Sequence, residues 1–114
     1  MFYQLAIGSF VICLSIVVEG IFIMFATNSL QNLNAWLDRG HRTPKTAIAI
    51  IAVTLWLLVA HSIAVWLWAI TFLWLDAFAA LETALYFAIV SFTTLGFGDI
   101  ILPAETRLLS GLAA

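Results

Sequence analysis

The octapeptide TTLGFGDI at residues 93–100 combines residue types that could bind a cation. Gly96 and Gly98 stand at alternate positions, and glycine readily adopts left-handed backbone conformations that other residues resist. Such residues at alternate positions allow successive carbonyl groups to turn to one side. A row of carbonyl oxygens can replace the hydration shell of a monovalent cation, and the Thr94 hydroxyl can add an oxygen at the inner end. The loop therefore predicts a site for a dehydrated cation.

The composition of the chain predicts a membrane protein. Of its 114 residues, 65% are hydrophobic and only 9% are charged, whereas a soluble domain has about 25% charged residues. A soluble fold this small could not bury so much apolar surface, so we expect the lipid bilayer as its surroundings. The net charge of −2 is too small to indicate nucleic acid as a partner. The single cysteine, Cys13, is expected to be a small buried side chain.

Two apolar runs are long enough to cross a bilayer as helices, which takes about 20 residues. Residues 5–27 predict an N-terminal span, and their sequence lacks the basic start and A-x-A site of a cleaved signal peptide. Residues 46–75 predict an outer helix. The polar residues 28–45 predict a connector, with a short helical piece around residues 30–37. Because three of the four basic residues lie in this connector, the positive-inside rule places it in the cytoplasm and the N-terminus outside.

Residues 76–92 predict a third helix, which is too short to span the bilayer and for which Asp76 is the expected N-cap. It suits a re-entrant helix that enters the membrane and stops at the loop of residues 93–99. Backbone without helical hydrogen bonds is tolerated at membrane depth where it is buried in protein or lines a wet cavity. The partly negative C-terminus of this helix would favour a cation nearby.

The motif TTLGFGD, preceded by a short re-entrant helix, resembles the selectivity signature of potassium channels, which commonly reads T-V-G-Y-G-D. The resemblance covers about residues 76–103 and extends loosely to the outer helix. It implies an all-α membrane protein that forms a homotetramer, because the potassium channel filter is a ring of four loops. It further implies a passive, potassium-selective ion channel of the cell (inner) membrane, with K⁺ as the permeant ion, no cofactor and no enzymatic activity.

The resemblance also implies a role for each residue of the loop. Gly98 would close the filter at its outer end, Thr93 would lie at the junction with the pore helix, and Asp99 would stand at the pore mouth. The carbonyl oxygens around K⁺ would come from Thr94, Leu95, Gly96 and Phe97.

The loop and the helix before it depart from the usual potassium channel pattern. Leu95 replaces the commoner Val or Ile, and Phe97 replaces a tyrosine, so that its hydroxyl is lost. Residues 86–87, Tyr and Phe, stand where many relatives have two tryptophans. Val90 stands where some relatives have a glutamate that pairs with the aspartate of the mouth. We therefore expect Asp99 to lack that partner within its own chain.

Residues 104–114 resemble the start of the inner helix that such a channel requires, and we expect this helix to continue beyond them. No row of arginines at every third position indicates a voltage sensor. Two other functions stay open. Leu95 and Phe97 leave open a non-selective or sodium-passing cation channel. The short inner helix leaves open a non-conducting membrane scaffold or regulatory subunit that retains the pore fold.

Glu19 and His61 are polar residues inside the predicted spans. An acidic side chain within a span is costly and often functional. We expect Glu19 to form a hydrogen bond with a neighbouring helix, for which depth counted from the cytoplasmic ends suggests Thr54 as a partner. The alternatives are a role in ion attraction or proton sensing, and a position closer to the lipid headgroups. His61 is expected to be a neutral, hydrogen-bonded packing residue, with pH sensing as the alternative.

Overall fold

A computed structural model describes the backbone of residues 2–37 and 42–114 and the side chains of residues 2–33 and 44–114. Most of the described backbone is helical and none of it forms strands, which confirms the predicted all-α fold. Its helices are α1 (Phe2–Leu37), α2 (Arg42–Trp74), α3 (Leu81–Phe92) and α4 (Arg107–Ala113). Helices α1 and α2 form a long hairpin. The short helices α3 and α4 pack at one end of it, where α1 starts and α2 ends.

Both long helices contain a stretch that is long and apolar enough to cross a membrane, Phe2–Leu33 in α1 and Pro44–Trp74 in α2. Most large apolar side chains along these stretches are exposed in the single chain. A surface of this kind must be covered by lipid or by another protein chain. Cys13 belongs to this exposed surface, so the expectation that it is buried was wrong.

An aromatic contact fixes the register of the hairpin. The rings of Phe22 on α1 and Trp56 on α2 lie 4.8 Å apart. The indole Nε1 of Trp56 donates a hydrogen bond of 3.0 Å to the carbonyl oxygen of Phe22. That donor would otherwise lie unsatisfied on an apolar surface, so the bond favours one alignment of the two helices.

This register differs from the one predicted from the sequence, because both helices are longer than the predicted spans. Helix α1 continues to Leu37, so the predicted helical piece at residues 30–37 is part of it, and α2 already begins at Arg42. Of the predicted connector, residues 38–41 lie outside the described residues. Glu19 does meet a polar side chain of the neighbouring helix, but the suggested partner Thr54 was wrong: Oε1 of Glu19 lies 3.2 Å from Nδ1 of His61. The Thr54 hydroxyl donates to the carbonyl oxygen of Ile50 in its own helix at 2.8 Å.

Asp76 ends helix α2 instead of starting helix α3, so its predicted role as an N-cap was wrong. Its φ is +51°. Its N–H bonds to the carbonyl oxygen of Leu73 at 3.0 Å, and the N–H of Ala77 bonds to that of Phe72 at 3.0 Å. These two bonds around a left-handed residue form a Schellman motif. Helix α3 begins at Leu81, with Ala80 at the N-cap position, so only the later part of the predicted helix 76–92 is helical.

The core of the chain lies between the end of α2, the helix α3 and the helix α4. Phe72 and Leu109 are the largest side chains that are fully buried. The Phe72 ring lies 5.8 Å from Trp68, 6.1 Å from Phe78 and 5.4 Å from Phe87. This cluster holds α3 against α2, and it thereby sets where the loop that follows α3 emerges.

Helix α4 lies where the sequence predicted the start of an inner helix in residues 104–114, and it packs against both α1 and α3. Gly8 on α1 allows the close approach of α4. A Cβ atom added at Gly8 would meet the side chain of Leu112 and would lie 3.5 Å from Cδ2 of Leu109. The N-terminal helix is therefore part of the packed unit around the loop.

Candidate functional site

The C-terminus of α3 closes with a second Schellman motif, and this motif starts the loop of residues 93–99. The N–H of Thr94 bonds to the carbonyl oxygen of Ser91 at 2.9 Å. The N–H of Leu95 bonds to that of Val90 at 3.0 Å. Thr94, the residue in the left-handed position of the motif, has a φ of +57°. The first residues of the loop are thus tied to the last turn of the helix.

Positive φ angles fall on alternate residues of the loop. They are +57° at Thr94, +52° at Gly96 and +74° at Gly98, while Leu95 and Phe97 between them do not have positive φ. This confirms the conformations expected of the two glycines. The left-handed Thr94 was not foreseen, because a β-branched residue rarely adopts positive φ. Its place directly after a helix C-cap is the one signal in the sequence that could have indicated it.

Conformation, and not lack of space, requires glycine in this loop. A Cβ atom added at Gly96 or at Gly98 would meet nothing within 4 Å in the single chain. The side chains between them are apolar and largely exposed, Leu95 at 57% and Phe97 at 66% of their surface. The loop therefore presents a reversed backbone and two uncovered apolar side chains.

Thr93 lies at the junction between α3 and the loop, as expected, where it is the C-cap residue of the helix. Its hydroxyl donates to the carbonyl oxygen of Ile89 at 2.7 Å, and its N–H bonds to the same oxygen at 2.9 Å. The Thr93 side chain thus turns back along the helix and strengthens its last turn.

Asp99, at the far end of the loop, is held by Tyr86. The Tyr86 hydroxyl donates a hydrogen bond of 2.7 Å to Oδ2 of Asp99. This bond to a carboxylate, together with partial desolvation and the negative charge of Asp99, raises the pKa of the Tyr86 phenol, so the phenol keeps the proton that it donates. The side chain of Val90 is buried and apolar, so it offers Asp99 no polar partner, as the sequence predicted.

Tyr86 is a partner of Asp99 that was not predicted from the sequence. A signal was present, since the phenol of a tyrosine is a hydrogen-bond donor and Tyr86 lies on the helix that precedes the loop. The aspartate therefore has a partner within its own chain after all, although not the one that was sought.

A cleft of about 350 Å³ lies beside the loop. Its lining includes Thr94, Gly96, Gly98 and Asp99 of the loop, together with Tyr86 of α3 and Ser110 of α4. In the described part of the chain, no three His, Cys, Asp or Glu side chains lie close enough together to hold a metal ion. The loop itself carries backbone carbonyl groups, the hydroxyl groups of Thr93 and Thr94, and the carboxylate of Asp99.

The two intramembrane polar residues singled out in the sequence lie together, on the far side of α3 from the cleft. Nδ1 of His61 lies 3.2 Å from Oε1 of Glu19. The His61 ring also lies 5.2 Å from the ring of Phe92, at an interplanar angle of 84°. The pair therefore connects α1 and α2 to the last residue of α3.

These elements define an integral membrane protein in which a long apolar hairpin supports a short helix and a non-helical loop with reversed backbone. A family model described as an ion channel matches residues 51–114, which is more than half of the chain. The chain belongs to this ion channel family. The matched region contains most of α2, all of α3, the loop and α4. Comparison with curated proteins gave no significant match, and comparison with solved structures gave none either.

Proposed function

We propose that this chain is a subunit of a potassium-selective channel and that the loop of residues 93–99 is its selectivity filter. The observation that carries the proposal is the alternation of positive φ at Thr94, Gly96 and Gly98. Reversing the hand of the backbone at every second residue allows neighbouring carbonyl groups to face one side. Rings of such carbonyl oxygens replace the hydration shell of K⁺ in potassium channels.

In this proposal K⁺ is the transported substrate, and its ligands are main-chain oxygens. Thr94 contributes its hydroxyl as well as its carbonyl oxygen, at the end of the filter nearest to α3. Gly98 ends the filter, and Asp99 stands at the mouth. The carbonyl ligands are those of Thr94, Leu95, Gly96 and Phe97.

Four copies of the chain are required, because one loop provides only one side of an ion path. The exposure of Leu95 and Phe97 supports assembly, since two apolar side chains beside a polar loop need a cover. In a homotetramer the pore helices and loops of neighbouring subunits would supply that cover. Chemical cross-linking of the purified protein in lipid nanodiscs should give a ladder that ends at the tetramer.

We propose that the loop and the N-terminus face outward across the cell (inner) membrane and that the basic connector is cytoplasmic. The basic residues of the connector support this orientation. A Cys13→Ser background allows single cysteines to be placed at Glu105 and at Gln31, both of which are exposed. A membrane-impermeant maleimide applied to intact cells should label Glu105→Cys and not Gln31→Cys. The reverse pattern would overturn the orientation alone.

The direct test is ion flux through the full-length protein in liposomes. The protein should carry K⁺ down its gradient far faster than Na⁺. Equal fluxes of the two ions would replace the proposal by a non-selective cation channel. A folded, tetrameric protein that carries neither ion would instead favour a scaffold or regulatory subunit with the pore fold.

A further inference from the structure

His61 contacts two helices at once. Its Nδ1 atom lies 3.2 Å from Oε1 of Glu19 on α1, and its ring packs nearly perpendicular to the ring of Phe92 on α3. Three elements of the fold therefore meet at one histidine. Neither side of this contact takes part in the ion path proposed above.

Phe92 is placed to transmit a movement of His61 to the loop. It is the last residue of α3, and Thr93 and Thr94 follow it directly. The hydrogen bonds of Thr93 to Ile89 and of Thr94 to Ser91 hold these residues to the turn that contains Phe92. A shift of the Phe92 ring would therefore move the start of the loop.

The side chains that face His61 come from three helices. From α1, Glu19 faces the histidine. From α3, the facing residues are apolar or neutral, namely Leu85, Ile89, Phe92 and Thr93. From α2 itself, the lining residues are Leu58, Ser62, Val65 and Trp66. Among the described residues that line this groove, none besides His61 carries an ionisable side chain, and Glu19 contacts His61 from α1.

Protonation of His61 would change the character of its contact with Glu19. Histidine side chains ordinarily gain a proton between about pH 5 and about pH 8. A proton gained by His61 would place a positive charge 3.2 Å from a carboxylate oxygen of Glu19 and so convert the contact into an ion pair. The contact between α1 and α2 beside Phe92 would therefore tighten as the pH falls.

We propose that Glu19 and His61 form a proton-responsive contact that acts on the loop of residues 93–99 through Phe92. Its effect on ion flux rests on the proposed channel function, whereas the contact itself does not. Polar contacts between helices within membranes shift equilibria by about threefold on average, so a change of about threefold in flux is expected.

The first test measures K⁺ flux through the full-length protein in liposomes between about pH 5.5 and about pH 7.5. The flux of the wild type should change across this range, and Glu19→Gln and His61→Gln should each remove the change. Phe92→Leu should also remove it, although that variant keeps both partners of the pair. His41→Gln, which alters the other of the two histidines, is the matched control and should retain it. A wild-type flux that is independent of pH would overturn the proposal.

The second test separates the contact from the channel function. The backbone amide of Thr93 is followed by NMR over the same pH range in lipid nanodiscs. The Thr93 signal should titrate in the wild type and in His41→Gln but not in His61→Gln. If the wild type carries no ions at any pH, the proposed function fails and this experiment still decides the inference. A Thr93 signal that does not titrate would overturn the inference whatever the flux.

Discussion

The phenol of Tyr86 donates a hydrogen bond of 2.7 Å to Asp99, which ties the end of the loop back to the helix from which the loop emerges. At its start, the loop is tied to the same helix by the N–H groups of Thr94 and Leu95. The N–H of Gly96 also bonds to the carbonyl oxygen of Val90 at 3.5 Å, so Phe97 and Gly98 lie between two anchors on α3. A short helix that holds both ends of a loop can fix the loop's backbone without any contact from its exposed side chains.

Tyr86→Phe should weaken the preference for K⁺ over Na⁺, because it removes the far anchor and keeps the aromatic ring. The exposed end of the loop would then hold its conformation less strictly. Flux of both ions in liposomes measures the effect. Tyr3→Phe removes a hydroxyl from the other tyrosine of the chain, which is exposed on α1, and should leave the ratio of fluxes unchanged. An unaltered ratio in Tyr86→Phe would show that this anchor does not support selectivity.

The sequence was sufficient to predict two long apolar helices, a short third helix and the conformations of Gly96 and Gly98. The long helices follow from composition and length, and the glycines from their unusual backbone freedom. Asp76 shows why helix boundaries were harder to predict. An aspartate is a favoured N-cap and also tolerates the left-handed conformation that ends a helix, so its type alone does not distinguish the two positions.

Contacts between helices were not predictable in the same way, because they depend on register. The partner of Glu19 was sought at Thr54 by counting from helix ends that the structure places elsewhere. Helix α1 continues through a polar segment to Leu37, and the partner moves to His61. The Tyr86–Asp99 bond likewise requires the path of the loop, which no local pattern provides.

Gly96→Ala should abolish K⁺ flux and leave the protein folded. The left-handed conformation costs a residue with a Cβ atom about 1–2 kcal/mol, and open space around Gly96 does not relieve this cost. Gly20→Ala is the matched control, since Gly20 lies within α1, has no positive φ, and an added Cβ would meet nothing within 4 Å. Flux assays and circular dichroism on both variants check the prediction. A selective, conducting Gly96→Ala protein would contradict the carbonyl arrangement.

Thr94 allows stability to be separated from conduction. Thr94→Gly removes the cost of a left-handed β-branched residue, which raises the free energy of unfolding by about 1–2 kcal/mol. Glycine also makes the unfolded chain more flexible, which lowers the free energy of unfolding by about 0.5–1 kcal/mol. Thermal stability in detergent should therefore be equal or slightly higher, while K⁺ flux should fall because the hydroxyl ligand is lost. Thr94→Ser keeps a hydroxyl and should conduct. Loss of flux in Thr94→Ser equal to that in Thr94→Gly would argue against the hydroxyl as a ligand.

Trp56→Phe should loosen the hairpin. It keeps an aromatic ring beside Phe22 and loses the hydrogen bond from Nε1 to the Phe22 carbonyl oxygen. Hydrogen bonds between helices in membranes contribute about 0.6 kcal/mol on average, so the loss of stability should be of that order. Trp66→Phe, at an exposed position of the same helix, is the control. Equal thermal unfolding of the two variants would mean that the bond does not fix the register.

Leu109→Ala tests whether α4 and α1 belong to the unit that supports the loop. Leu109 is fully buried, whereas its neighbour Leu108 is 39% exposed. Removing a buried leucine side chain leaves a cavity and costs about 2–5 kcal/mol, so Leu109→Ala should lower the thermal stability in detergent markedly and Leu108→Ala only slightly. Because Leu109 packs in the same core as Phe72 and Phe87, the damage should reach α3 and reduce K⁺ flux as well. Comparable stability of the two variants would place α4 outside the packed core and leave the loop supported by α2 and α3 alone.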